Sequence, residues 1–195
     1  MKKGINWKAI FTVFIGVIMV GSTIGFLVGP FGFGSGVSGT SIKVNGHKLD
    51  VVPGGFETKV GKAIIAFTYS PSAANRTIIP SEAIDKIKGA GFIYMASDPN
   101  SSSAQDIALT QFQLSEMLNN EFNVKSQVAF TKPFRQFPVV TCLNASPLVP
   151  VMIFEDANQT NATYENNCLV LQAENSAAYN ELRDRLVYGL FGILT

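Results

Sequence analysis

Residues 92–130 read FIYMASDPNSSSAQDIALTQFQLSEMLNNEFNVKSQVAF, and this stretch decides the fold. The apolar run at 92–96 is too short for a helix and reads as a buried strand. From about Ala104 to Phe122, the residues Ile107, Leu114, Met117, Leu118 and Phe122 fall on one face of a helix. Ser102 and Gln105 have capping-box spacing at its start. Residues 124–130 form a second strand. Strand, helix and strand over this distance give a βαβ unit, a parallel pair with a right-handed crossover.

Upstream, residues 40–52 form a β-hairpin: Asn45-Gly46 is a preferred two-residue turn, flanked by Ile42, Val44, Leu49 and Val51. A third strand is expected at 63–69. A short helix follows, with Ser81 as N-cap, Ile84 and Ile87 on one face and Gly89 as its stop. Downstream, 139–143 and 147–154 are strand-like, and 155–167 is polar enough for an exposed turn. Residues 168–172 make a final strand. Asn175 or Ser176 caps a last helix that carries Tyr179, Leu182, Leu186, Leu190 and Phe191. Its end, 187–194, is apolar nearly all round. Core burial is the plain reading, and contact with a membrane or a partner is the sharper one. The whole is an α/β or α+β domain with one mixed sheet, a hairpin start and a C-terminal helix.

The N-terminus places this domain. Residues 9–30 hold no charge, and the apolar run 10–28 is long enough to cross a bilayer as a helix. Lys2, Lys3 and Lys8 precede it and no acid appears before Asp50, so the positive-inside bias puts the start in the cytoplasm and the rest outside. Trp7 suits the inner headgroup level. A cleaved signal peptide, ending near Gly21, Ser22 and Thr23, is the competing reading, but the hydrophobicity runs on past it. The expected organisation is a cytoplasmic start and transmembrane anchor at 1–29, a Gly-rich tether at 30–39 and an extracytoplasmic domain at 40–195. Gly21, Gly25 and Gly29 share one helix face, a spacing that lets membrane helices approach, although glycine is also simply common there. The bilayer is therefore the expected partner of residues 9–30, and a protein partner is a further possibility.

Three of the 15 Lys and Arg residues precede the apolar run, so 12 basic against 14 acidic residues follow it, a net charge near −2. That excludes the basic footprint of a nucleic-acid binder. Cys142 and Cys168 are the two cysteines, and outside the cytoplasm they read as a disulfide. Sequons stand at Asn75, Asn100, Asn144, Asn158 and Asn161, as on a glycosylated surface domain.

Catalytic patterns are sparse. His47, the sole histidine, lies beside the hairpin turn and reads as a solvated turn residue. No G-x-S-x-G, H-E-x-x-H or phosphate-loop motif occurs. No catalytic residue, metal site or cofactor is assigned. Acid pairs such as Glu155/Asp156 and Glu181/Asp184 read as solvated surface. The candidate ligand site is Asp98, Ser101, Ser102 and Ser103, a loop after a parallel strand where serines and a helix N-terminus meet in a setting suited to an anion. The plain alternative is a helix cap on a flexible loop.

The anchor WKAIFTVFIGVIMVGSTIGFLVG, the middle helix SSSAQDIALTQFQLSEML and the C-terminal third from VVTCLNASPLVPVMIFEDANQTNATYENNCLVLQ to YGLFGIL together resemble single-span membrane proteins of unknown function from archaea. The resemblance implies a surface-anchored domain and brings no activity, cofactor or site residue. The expected role is binding or scaffolding at the cell surface. The alternatives are a small-ligand receptor, or a surface hydrolase or transferase, using the loop at 98–103.

Overall fold

The computed structural model describes residues 40–61 and 63–194. The tripartite division at 29 and 39, the anchor, the tether and Gly21, Gly25 and Gly29 fall outside the described residues. Among the described residues no helix is long and apolar enough to cross a membrane.

The first sheet is an antiparallel meander of four strands, β1 (Ser41–Val44), β2 (His47–Val52), β3 (Gly55–Val60) and β4 (Ala63–Phe67). The expected hairpin forms, with Val44 opposite His47 and both turn residues left-handed, Asn45 at φ 46° and Gly46 at φ 83°. β3 is not apparent from the sequence. Its inward residues are Phe56 and Thr58, and Thr58 is buried only because its hydroxyl donates to the Lys48 carbonyl at 2.7 Å. Gly55 is required where β3 meets β4, since a Cβ there would stand 2.0 Å from the Phe67 carbonyl oxygen.

A short helix α1 (Pro71–Ala74) and helix α2 (Ser81–Gly89) lead into a second sheet, so the hairpin does not join the one mixed sheet expected but belongs to a sheet of its own. Pro80, not Ser81, is the N-cap of α2. The second sheet contains β5 (Phe92–Ser97), β6 (Lys125–Phe130), β7 (Val151–Asp156), β8 (Asn161–Glu165) and β9 (Cys168–Ala173) in the order β6-β5-β7-β9-β8. β5, β6, β7 and β9 are parallel, and β8 joins the edge antiparallel to β9. The βαβ unit stands as expected, with α3 (Ala104–Phe122) as its crossover. The strand expected at 147–154 is β7, displaced toward its carboxyl end. The supposed turn at 155–167 holds β8, whose one buried residue, Ala162, hides its strand character.

Side-chain alternation divides this sheet into two faces. Ile93, Met95, Met152, Phe154, Leu169 and Leu171 face the helices, while Ala96, Ala129, Val151, Ile153 and Cys168 face away. Residues 131–150 carry the chain from β6 back past β5 to β7, and a right-handed crossover sends them over this second face. They cover it with Val140, Cys142 and Ala145 in place of a helix. The strand expected at 139–143 is therefore only an isolated bridge from Val139 to Phe130 and a 3₁₀ turn at Cys142–Asn144. The Cys142–Cys168 disulfide pins this cover to β9.

The last helix, α4 (Ser176–Leu190), starts at N-cap Asn175, whose side chain accepts from the Ala178 N–H at 3.1 Å. Its end is apolar nearly all round because the helix packs against the parallel sheet and also against the meander. Leu182, Leu186, Tyr188 and Leu190 are buried, and Phe67 stacks on Tyr188 at 3.9 Å. The end expected at 187–194 is thus core, with Val187 and Ile193 buried too. The pair Glu181/Asp184 is not solvated surface. The Asp184 carboxylate is buried and accepts from Thr68 N–H at 2.7 Å, Tyr69 N–H at 2.8 Å and Arg183 Nε at 2.9 Å. It ties α4 to the point where β4 leaves its sheet. Burial pushes this carboxyl up, against the pull of Arg183.

Candidate functional site

In the order β6-β5-β7, the chain leaves β5 toward one side and returns to the other, so the carboxyl ends of β5 and β7 form a topological switch point. Open α/β sheets bind ligands at such points. A cleft of about 410 Å³ opens there, lined by Asp98, Asn100, Ser101, Thr131, Lys132, Phe154, Glu155 and Asp156. Asp98 follows β5, Thr131 and Lys132 follow β6, and Glu155 and Asp156 end β7.

Asp156 organises the loop. Its Oδ2 accepts from Ser101 Oγ at 2.7 Å, Ser102 N–H at 3.0 Å and Ser102 Oγ at 3.1 Å, while Oδ1 accepts from Tyr179 of α4 at 2.9 Å. Burial raises this carboxyl, but the hydroxyls of Ser101, Tyr179, Ser103 and Ser102 outweigh it and hold the group at about 2. Burial and the bond to Asp156 push the Tyr179 phenol up. Ser103 N–H donates to Ser101 Oγ at 3.0 Å. Ser103 is the N-cap of α3 but makes no side-chain cap bond. The capping box expected from Ser102 and Gln105 is therefore absent, because the Ser102 hydroxyl turns to Asp156.

The structure brings together all four predicted loop residues and changes their meaning. The helix N-terminus already has its anion, the carboxylate of Asp156, so the setting read as suited to an external anion is filled by the chain itself. Asp98 turns the loop by accepting from Asn100 N–H at 2.9 Å and pairs with the Lys132 ammonium. Lys132, first among its contacts, holds the Asp98 carboxyl below its ordinary value. The groups left facing the cleft are the Asp98–Lys132 pair, the Asn100 amide, the Thr131 hydroxyl and the Glu155 carboxylate, which takes one bond from Gln172 at 3.3 Å.

Reading the sequence alone misses Lys132, Thr131, Asn100 as a cleft residue, Tyr179 and above all Asp156, which is exposed as expected but holds the loop. The available signal was position: 155–156 end an apolar run on a strand that could flank β5. His47 starts β2 in the other sheet. The five sequon asparagines, Asn75, Asn100, Asn144, Asn158 and Asn161, are all exposed. Among the described residues no group of three or more His, Cys, Asp or Glu side chains is placed to hold a metal ion. No family model, curated protein or solved structure matches the chain.

Proposed function

We propose that this chain is a binding domain anchored at the outer surface of a membrane by residues 9–30, and that its cleft takes a small polar ligand. The observation that carries this reading is the convergence of Asp98, Asn100, Thr131, Lys132 and Glu155 on one cleft at the switch point. These groups offer donors, acceptors and charges of both signs. They suit a zwitterion such as a free amino acid, or a polyol, better than a simple anion. Binding is favoured over hydrolysis because the serine protons are committed to Asp156, a carboxylate too weakly basic to remove them. The Cys142–Cys168 disulfide and the exposed sequons support an address outside the cytoplasm.

The test is thermal unfolding of the full chain in detergent with amino acids and hexoses added in turn. A ligand of one class is expected to raise the midpoint with concentration. Asn100→Ala and Lys132→Ala should remove that rise and leave the ligand-free midpoint in place. No stabilisation by either class, or equal stabilisation of the Lys132 variant, would contradict the reading.

A further inference from the structure

The two sheets have four edge strands, β1, β4, β6 and β8. Three carry the polar or charged residues that keep an open edge from recruiting another strand: Lys43 in β1, Lys125 and Gln127 in β6, Asn161 and Glu165 in β8. β4 reads AIIAF and has none. It contains no proline, and it pairs in unbroken register with β3 from Ala63 to Phe67. Among the described residues no hydrogen bond joins Ala63–Phe67 to anything but β3, whereas the next two N–H groups, of Thr68 and Tyr69, are taken by Asp184. The edge is thus closed by the fold at one end and open along the strand.

Beside this edge lies a groove of about 410 Å³ between β4 and α3, floored by Leu114, Met117 and Val187. Ile64 on one wall and Phe112 on the other are 70% and 62% exposed. Glu116 and Glu121 are exposed on the helical wall, while the cation in the groove, Arg183, is committed to Asp184 and Gln113. Among the described residues that line the groove, the free charge is therefore negative.

We propose that the outer edge of β4 docks an extended peptide of another protein, added as a fifth strand to the meander, with apolar residues at alternate positions and Lys or Arg between them. The backbone of β4 supplies the ladder, Ile64, Phe112 and Met117 take the apolar side chains, and Glu116 and Glu121 select for the cations. This surface is separate from the switch-point cleft and does not depend on what that cleft binds.

The experiment is fluorescence anisotropy of the full chain in detergent with three labelled probes: a short peptide alternating Val and Lys, its Val and Glu counterpart, and the Val and Lys peptide with alternate amides N-methylated. Saturable binding is expected of the first probe only. Ile64→Lys and, separately, Phe112→Ser should each weaken it about tenfold, and since both side chains are exposed the fold should persist by circular dichroism. Three results would overturn the proposal: no saturable binding of the first probe, equal binding of the methylated or acidic probe, or binding unchanged in both variants. A chain that is dimeric by light scattering and becomes monomeric with Ile64→Lys would overturn it in favour of a second copy.

Discussion

Replacing Asp156 by alanine probes the cleft where it is built. The substitution removes the acceptor for Ser101, Ser102 and Tyr179 at once and leaves the N-terminus of α3 without its anion. A folded value of about 2 against an ordinary 3.8 corresponds to roughly 2.4 kcal/mol of preference for the ionised carboxylate at full strength. Asp156 is exposed at the surface, so screening by water and salt reduces the expected contribution to about 1 kcal/mol. The sign follows from the direction. A depressed carboxyl stabilises the fold above its unfolded value, and that stability is lost as pH falls from about 4 to about 2. Urea unfolding of wild type and Asp156→Ala at neutral pH should therefore differ by about 1 kcal/mol from the charge, plus the cost of the stranded Tyr179 hydroxyl. The gap should narrow steadily toward pH 2. A gap that holds constant across that window, or one that is absent at neutral pH, would refute the role given to Asp156.

Other perturbations have equally definite expectations. Reducing the Cys142–Cys168 bond, which spans 26 residues, should cost about 3.5 kcal/mol on the chain-entropy scale, read as a lower urea midpoint in reductant. Asp184→Ala strands the Thr68 and Tyr69 N–H groups and the Arg183 guanidinium beside a buried site. A loss of about 3 kcal/mol is expected by the same assay. Gly55→Ala forces β3 away from the Phe67 carbonyl and should cost about 2 kcal/mol, with faster hydrogen exchange confined to the meander.

Much of the fold was legible because its signals are local. The hairpin is written in Asn45-Gly46, and α3 in the spacing of Ile107, Leu114 and Leu118 between two apolar runs. β3 and β8 were hidden because the one fully buried position of each holds Thr58 or Ala162, residues that do not mark a core by type. The strand expected at 139–143 failed for a topological reason, since the return from β6 to β7 had to cross a sheet face. The apolar tail of α4 was ambiguous because a helix between two sheets and a helix in lipid look alike in sequence. The loop 98–103 was found from its place after β5. Asp156 was not, because it lies 55 residues from Ser101 and meets it only once strand order is known.

The claim that this is a domain held outside the cytoplasm is tested most directly by impermeant maleimide labelling of intact cells. Two reporters are made in the full chain, Ser72→Cys on the exposed surface of α1 and Lys3→Cys before the apolar run. The expected result is labelling of Ser72→Cys in intact cells, of Lys3→Cys only after lysis, and of the wild-type chain only after reduction. Labelling of Lys3→Cys alone in intact cells, or of the unreduced wild-type chain after lysis, would contradict the orientation or the disulfide on which the surface reading rests.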